Sequence, residues 1–356
     1  MNPSDSPTRT MSKAGSMRAA VLGPDGPVVT AVPVPAPAAD EVLVRVRAAA
    51  MNHADLAMAE GRLHGAHGGP GTVLGLEFAG DVVEVGDAVR GLSAGQRVMA
   101  SGRGAFAEYA VAKAARVIPI PSPATSYQQA ACLPVALQTM HDAIVTRGRL
   151  RAGDVVLVQG ASSAVGLVAL QMCRLLGARL VIGTSTNPER RRRLREFGAD
   201  LVLDSSVSDW PQAVLDQTQG HGADLVIDMV AGPMMNQNLR AAALEGRIVN
   251  VGRLGGRQAQ FDFDLHALRR IEYVGVTFRT RTDAEVAEVV RRMRKDLDAA
   301  LDAGRLSLPV DKVYPLDQVG AAFERNRARQ HFGKLILTPD AAATGDPANA
   351  APGRAG

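Results

Sequence analysis

The sequence predicts an α/β chain, with a β-rich first part followed by a doubly wound parallel sheet. Three observations predict it. From Met17 to about Pro121, short apolar runs alternate with Gly and Pro punctuation. From about Pro134 onward, apolar runs alternate instead with longer stretches of helical periodicity. Between the first of those later strands and its helix stands a turn made only of small residues and one valine, Gly160 to Gly166.

In chain order, the segments MRAAVLG, EVLVRVRAAAM, LGLEFAGDVVEVG, QRVMA, FAEYAVA and ARVIPIP read as strands joined by turns. VVLVQG then leads into the helix AVGLVALQMCRLLG. RLVIGTS, the helix ERRRRLREFG and the strand DLVLD follow. ADLVIDMV, a helix, GRIVNVG and YVGVTF complete this half. Continuous apolar strands separated by helices imply a parallel sheet covered on both faces. After Arg281 comes a long helix, AEVAEVVRRMRKDLDAALDAG, then LPVDKVYPL, a short helix and GKLILTP.

The bulk numbers narrow the class. The 356 residues suffice for two domains, and 46% hydrophobic with 21% charged residues is an ordinary globular balance. The net charge of +4 is not gathered into a basic tract. The densest run, Arg190 to Arg193, opens a predicted helix and reads as a solvated face or phosphate clamp, so no nucleic-acid partner is expected. No run approaches the ~18 apolar residues that span a bilayer, so no membrane association is expected. Residues 1–16 are rich in Ser, Pro and Thr without an apolar core and read as a disordered leader, not a secretory signal. Residues 341–356 read as a disordered tail. Two cysteines, Cys132 and Cys173, make no disulfide framework and fit a cytoplasmic location.

The turn Gly160-Ala161-Ser162-Ser163-Ala164-Val165-Gly166 carries the first functional reading. A strand, a tight turn and a helix N-terminus present free amides and a positive dipole end to a phosphate. Small residues let the backbone approach a pyrophosphate, and the last glycine lets the helix pack against the sheet. The second strand ends in Gly183-Thr184-Ser185-Thr186 with no carboxylate to bond a ribose 2′-hydroxyl, and Arg190 follows. Missing acid plus nearby guanidinium favours NADPH over NADH.

The ordered set AAAMNHADL, LGLEFAGDVVEVG, GQRVMASGRGAFAEYAVA, LPVALQTMHDAI, GASSAVG, GRIVNVG and GKLIL resembles the zinc-free quinone oxidoreductases, the zeta-crystallin-like branch of the medium-chain dehydrogenase/reductase superfamily. The resemblance runs from Met17 to about Pro339. It implies a GroES-like catalytic domain formed by residues 17–135 and 279–340, with a Rossmann NADPH-binding domain, residues 136–278, inserted between them. The zinc ligands of metal-dependent relatives fall on Asn52, Leu76 and Val135, none a usual zinc donor, and no metal is expected. Glu77 and Asp55 keep the family pattern, and the four-cysteine lobe is missing. Without a Lewis acid, quinones and α,β-unsaturated carbonyls become the better hydride acceptors, because conjugation spreads the incoming charge.

The resemblance also assigns roles. Asn52 becomes a catalytic hydrogen-bonding residue. Thr139 joins Gly160, Ala161, Ser162, Ala164, Val165, Gly166, Thr184, Ser185, Thr186, Arg190, Val251, Gly252 and Arg253 around the cofactor. Leu63, Val135, Phe278 and Phe332 are expected at the substrate pocket, with core packing the alternative for the two phenylalanines. A tyrosine found in several relatives is replaced at Ala57 and Leu63, leaving His64, with His53 and His67 nearby, as the candidate proton donor. Ser163 resembles the enoyl-thioester reductases more, which keeps that activity open beside a non-catalytic NADPH-binding role. YVGVTF is expected to pair two copies into a homodimer.

Overall fold

The computed structural model describes residues 15–65 and 67–339. The expected tail lies outside them, as does the leader up to residue 14. Ser16, assigned to that leader, instead opens the first strand.

An antiparallel hairpin, β1 (Ser16–Gly23) with β2 (Gly26–Pro33), precedes β3 (Glu41–Ala50), α1 (His53–Ala59), β4 (Glu77–Val85), β5 (Arg97–Ser101), β6 (Tyr109–Lys113) and β7 (Val117–Pro119). Helices α2 (Tyr127–Ala131) and α3 (Pro134–His141) follow, the latter running into a wide π-type turn over Asp142–Arg147. The strand–helix alternation is β8 (Val155–Gln159), α4 (Ala164–Leu175), β9 (Leu180–Thr184), α5 (Pro188–Arg193), β10 (Leu201–Leu203), α6 (Trp210–Gln217), β11 (Ala223–Asp228), α7 (Met235–Ala241), β12 (Ala242–Asn250), α8 (Phe263–Arg269) and β13 (Glu272–Gly275). Last come α9 (Asp283–Asp302), β14 (Val310–Pro315), α10 (Val319–Arg327) and β15 (Lys334–Thr338).

The six strands β10-β9-β8-β11-β12-β13 form one parallel sheet in that order. All five residues of β8 are buried, as a strand covered on both faces requires. The strand order reverses between β8 and β11, and dinucleotides bind at such a switch point, outside the carboxyl ends of the strands. The second sheet runs β14-β15-β3-β4-β5-β7, with β6 also paired to β3. β15 lies antiparallel to β3 through Ile336–Ala50 and Leu337–Ala49, so the C-terminal strands do rejoin the first part of the chain. That pairing sets Lys334 beside Met51 and Asn52.

Three elements differ from expectation. β2 was not visible as a strand, because it is largely exposed and its alternation is masked by prolines. ERRRRLREFG divides into the six-residue α5 and a 3₁₀ turn over Leu194–Phe197, ended by Gly198 in the left-handed region. YVGVTF is shorter than expected: β13 stops at Gly275, and the Thr277 hydroxyl accepts the Arg279 amide at 3.2 Å, turning the chain away.

Candidate active site

The glycine turn is held from behind. The Gly160 amide donates to Thr184 Oγ1 at 3.1 Å, and the Ala161 amide donates to the Thr184 carbonyl at 2.9 Å. Thr184 Oγ1 in turn donates to Gln159 Oε1. Gln159 Nε2 donates to Asn238 at 3.0 Å, and Asn238 Nδ2 to Asp228 at 3.0 Å. Asp228 also accepts the amides of Val230 and Ala231 at 2.8 and 2.9 Å. Burial raises its carboxyl pKa, opposed by these donors. This buried chain fixes the carboxyl ends of β8, β9 and β11 relative to one another. Such a fully satisfied polar network specifies geometry.

Thr184, expected beside the cofactor, has its hydroxyl turned into this network. That hydroxyl is fully buried and engaged with Gly160 and Gln159, so it shapes the turn. Ala161 is likewise buried. The amides of Ser162, Ala164 and Val165 have no protein partner among the described residues, and free N–H groups at a helix N-terminus suit an anion. Ser163 caps that helix, accepting the Gly166 amide at 3.2 Å. Ser185, buried, donates to Ser162 Oγ at 3.0 Å and joins the tip of β9 to the turn, while Thr186 is exposed beside it. Arg190 donates to the Arg329 carbonyl at 2.6 Å, and Arg191 pairs with Asp204 at 2.7 Å. Val251 and Gly252 both donate to the Asp228 carbonyl, at 2.8 and 3.1 Å, with Arg253 exposed beyond them.

In the second sheet, Asn52 belongs to a buried charged node. Lys334 Nζ donates to Glu77 Oε1 at 2.5 Å and to Asn52 Oδ1 at 2.7 Å. Asn52 Nδ2 donates to Glu77 Oε1 at 2.9 Å, and the Val135 amide donates to Glu77 Oε2 at 2.8 Å. β4, β15, the start of α1 and the start of α3 thus meet at one point. Burial raises the Glu77 carboxyl, and the Lys334 ammonium opposes that rise. Asn52 is engaged at both ends of its amide, which fixes its orientation. Val135 and Thr139, one helical turn apart on α3, are half-buried beside it, and Ser101 donates to Gln138 of the same helix at 2.9 Å. Sequence reading noted GKLIL as a motif but missed Lys334 as part of the site. An isolated charge opening an apolar strand was the available signal.

This donor set does not fit zinc. Asn52, Leu76 and Val135 stand where thiolates and imidazoles would be needed, and an ammonium already bonds the carboxylate. Among the described residues no group of three His, Cys, Asp or Glu side chains is placed to hold a metal ion.

Asp55 closes α1 in a capping box, accepting the Asn52 amide at 2.7 Å. It is fully buried, its other oxygen has no partner among the described residues, and burial pushes its carboxyl up to about 7. A carboxyl raised on folding stabilises the fold below its unfolded value and loses that contribution as pH rises towards its folded one. Relative to Asp55→Asn, the native protein should therefore lose about 2 kcal/mol of stability between pH 5 and 7. Urea unfolding of both proteins across that range checks it, and parallel curves would refute it.

The remaining candidates divide. Burial lowers the pKa of His53, His64 and His67, and neighbouring arginines lower each further. His64, the expected proton donor, is thus mainly neutral at pH 7. Its backbone bonds reciprocally to His67 at 2.7 and 3.2 Å, which turns Leu63 outward. Leu63, expected at the substrate pocket, is 62% exposed. Phe332 is core: it is buried, meets Phe197 edge-on at 5.8 Å and lies under the Arg193 guanidinium at 4.1 Å. Phe278 is half-buried with Arg281 5.0 Å above its ring. Both cysteines are buried, and burial pushes Cys173 up to about 12 and Cys132 also upward, so neither is a nucleophile.

Residues 38–122 match the alcohol dehydrogenase GroES-like domain family, and residues 164–295 the zinc-binding dehydrogenase family. A "probable oxidoreductase" from Mycobacterium abscessus is 30% identical with a TM-score of 0.78, aligned over 91% of this chain and 100% of that one. A mycobacterial quinone oxidoreductase is 26% identical, with a TM-score of 0.80 over 91% and 100% of the two chains. Mycobacterial Rv1454c complexed with NADPH is 25% identical, with the same TM-score and coverage. A phenolphthiocerol/phthiocerol polyketide synthase protein of Mycobacterium tuberculosis is 30% identical over 303 residues, 85% of this chain. The chain spans only 14% of that protein's length. The chain belongs to the medium-chain dehydrogenase/reductase superfamily. Within it, the chain is an oxidoreductase of the NAD(P)-binding kind, with a GroES-like part and a Rossmann-like sheet.

Proposed function

We propose that this protein is a zinc-independent, NADPH-dependent reductase of conjugated carbonyl compounds, a quinone or an α,β-unsaturated carbonyl. The observation that carries the reading is the Asn52–Glu77–Lys334 node standing where metal-dependent relatives need zinc ligands. NADPH supplies the hydride when bound. The free amides of Ser162, Ala164 and Val165 hold the pyrophosphate, and the ends of β12 and β13 face the nicotinamide half. Asn52 and Val135 close the reacting end and help exclude water. With no phenol at Ala57 or Leu63 and His64 mainly neutral, protonation from solvent suits a reduced quinone, which is a stabilised anion. The matches to polyketide synthases favour a second reading, an enoyl thioester as acceptor.

NADPH should bind at least about ten-fold tighter than NADH, because no unpaired carboxylate ends β9 and Arg190 and Arg191 stand beside it. Fluorescence titration checks this, and Arg190→Ala should remove most of the difference. Equal affinities would refute it. NADPH oxidation over a panel of quinones, enones and enoyl thioesters separates the two acceptor readings, and inactivity throughout would leave only a cofactor-binding protein.

Cytoplasmic, homodimeric operation is part of this proposal. β13 is an open edge flanked by exposed Leu244, Phe263, Leu268 and Tyr273, and pairing two such edges would cover them. Light scattering should give twice the 37.3 kDa chain mass. No helix among the described residues is long and apolar enough to cross a membrane.

A further inference from the structure

Two guanidinium groups at the mouth of the cleft have no carboxylate partner among the described residues. Arg103 follows β5, where the Gly102 amide donates to the Leu76 carbonyl at 3.0 Å and Ser101 pairs with Glu77. It therefore stands two residues from the strand position that faces the charged node. It is exposed, and among the described residues no side-chain bond engages it. Arg279 lies beyond the carboxyl end of β13, on the nicotinamide half of the sheet, and its side chain reaches only Thr277 Oγ1, at 3.4 Å, among the described residues.

The loop after α1 joins these two positions. A Cβ on Gly65 would lie 2.7 Å from the Arg279 carbonyl, so this loop rests directly on the Arg279 backbone. The charges of Arg279 and Arg103 both act on His64, and that of Arg103 also acts on His67 and Arg116. The nearest acid in the group, Asp283, is already bound to Arg116 at 2.5 Å. His67 Nε2 and Arg116 Nε are buried without a partner among the described residues. Four separate chain segments thus bring positive charge and spare donors around this loop, and of the three arginines only Arg116 has a carboxylate partner among the described residues. Protein charges are ordinarily interspersed or paired.

We infer that the acceptor carries an anionic group, a phosphate or another oxyanion, which Arg103 and Arg279 bind at the nicotinamide-side mouth while the conjugated end reaches Asn52. This rests on the reductase reading for the reaction, but the anion preference can be measured without turnover. Guanidinium groups suit such oxyanions because they present several planar donors at fixed charge.

The test uses matched pairs on the full-length protein. Butyryl-phosphopantetheine and butyryl-N-acetylcysteamine, unreactive and differing chiefly in the phosphate-bearing arm, are titrated calorimetrically onto the NADP⁺-loaded protein. The phosphate-bearing ligand should bind about ten-fold tighter at low salt, and the advantage should shrink at high salt. In turnover, 1,4-naphthoquinone-2-sulfonate is compared with 1,4-naphthoquinone, and the crotonyl forms of the two thioesters with each other. Preference in both pairs assigns a general oxyanion site, and preference in the thioester pair alone assigns a phosphate on a longer arm. Arg103→Ala with Arg279→Ala should bring each ratio close to one. The ratio is unaffected by a general loss of activity, and Arg→Lys at both positions should retain part of it. Equal binding within the butyryl pair at low salt, or a preference untouched by the double substitution, overturns the inference. An intact anion preference without NADPH oxidation by any acceptor sinks the reductase reading alone.

Discussion

Replacing Lys334 with Met should destabilise the protein by about 3–5 kcal/mol, the usual effect of removing one member of a buried ion pair. Both partners are out of water, with Lys334 3% exposed and Glu77 0%. Glu77 would keep the Asn52 amide and the Val135 N–H but lose the cation bonded to it. Burial already raises this carboxyl, and without the ammonium it would take up a proton. Asn52 would lose the donor on its Oδ1, freeing the amide to rotate. Adding Glu77→Gln to Lys334→Met should recover more than half of the loss, because the unpaired charge rather than the missing contact dominates it. Urea unfolding of the two singles and the double measures this coupling. An effect below about 1 kcal/mol, as for an exposed pair, would contradict the buried node.

Gly166→Ala should weaken NADPH binding about a hundred-fold while costing about 1–3 kcal/mol of stability. A Cβ there would lie 2.6 Å from the Ala161 carbonyl oxygen and 2.7 Å from its Cα, both backbone atoms that cannot swing aside. The start of α4 must then move away from the turn. That displaces the amides of Ser162, Ala164 and Val165 together. Gly320→Ala in α10 is the control: nothing lies within 4 Å of its Cβ, so it should be neutral or stabilising by up to about 1 kcal/mol. Equal NADPH affinities in the native and Gly166→Ala proteins would remove α4 from the cofactor site.

The parallel sheet was legible because its strands are buried on both faces and leave unbroken apolar runs, as VVLVQG does in β8. The glycine turn was legible because its small residues are adjacent in sequence. What could not be read were pairings made across the chain. Lys334 and Glu77 are 257 residues apart, and only the β15–β3 register brings them together. Thr184 looked like a cofactor contact, since a hydroxyl at a strand tip is the same residue type whether it points outward or back to Gly160. Phe332 was equally ambiguous until its burial and edge-on contact with Phe197 placed it in the core. β13 ended early because a threonine hydroxyl captured a nearby amide, a local competition that apolar patterning does not register.

Hydride transfer to a conjugated carbonyl without a metal is the activity proposed for this site. The most direct measurement is NADPH oxidation by the purified protein with quinone and enone acceptors, before and after exhaustive chelation, alongside its zinc content. Turnover should be unchanged by the chelator, zinc should be substoichiometric, and simple alcohols should not be oxidised with NADP⁺. One zinc per chain, with activity lost on chelation and restored by added zinc, would contradict it and would require ligands other than Asn52, Leu76 and Val135.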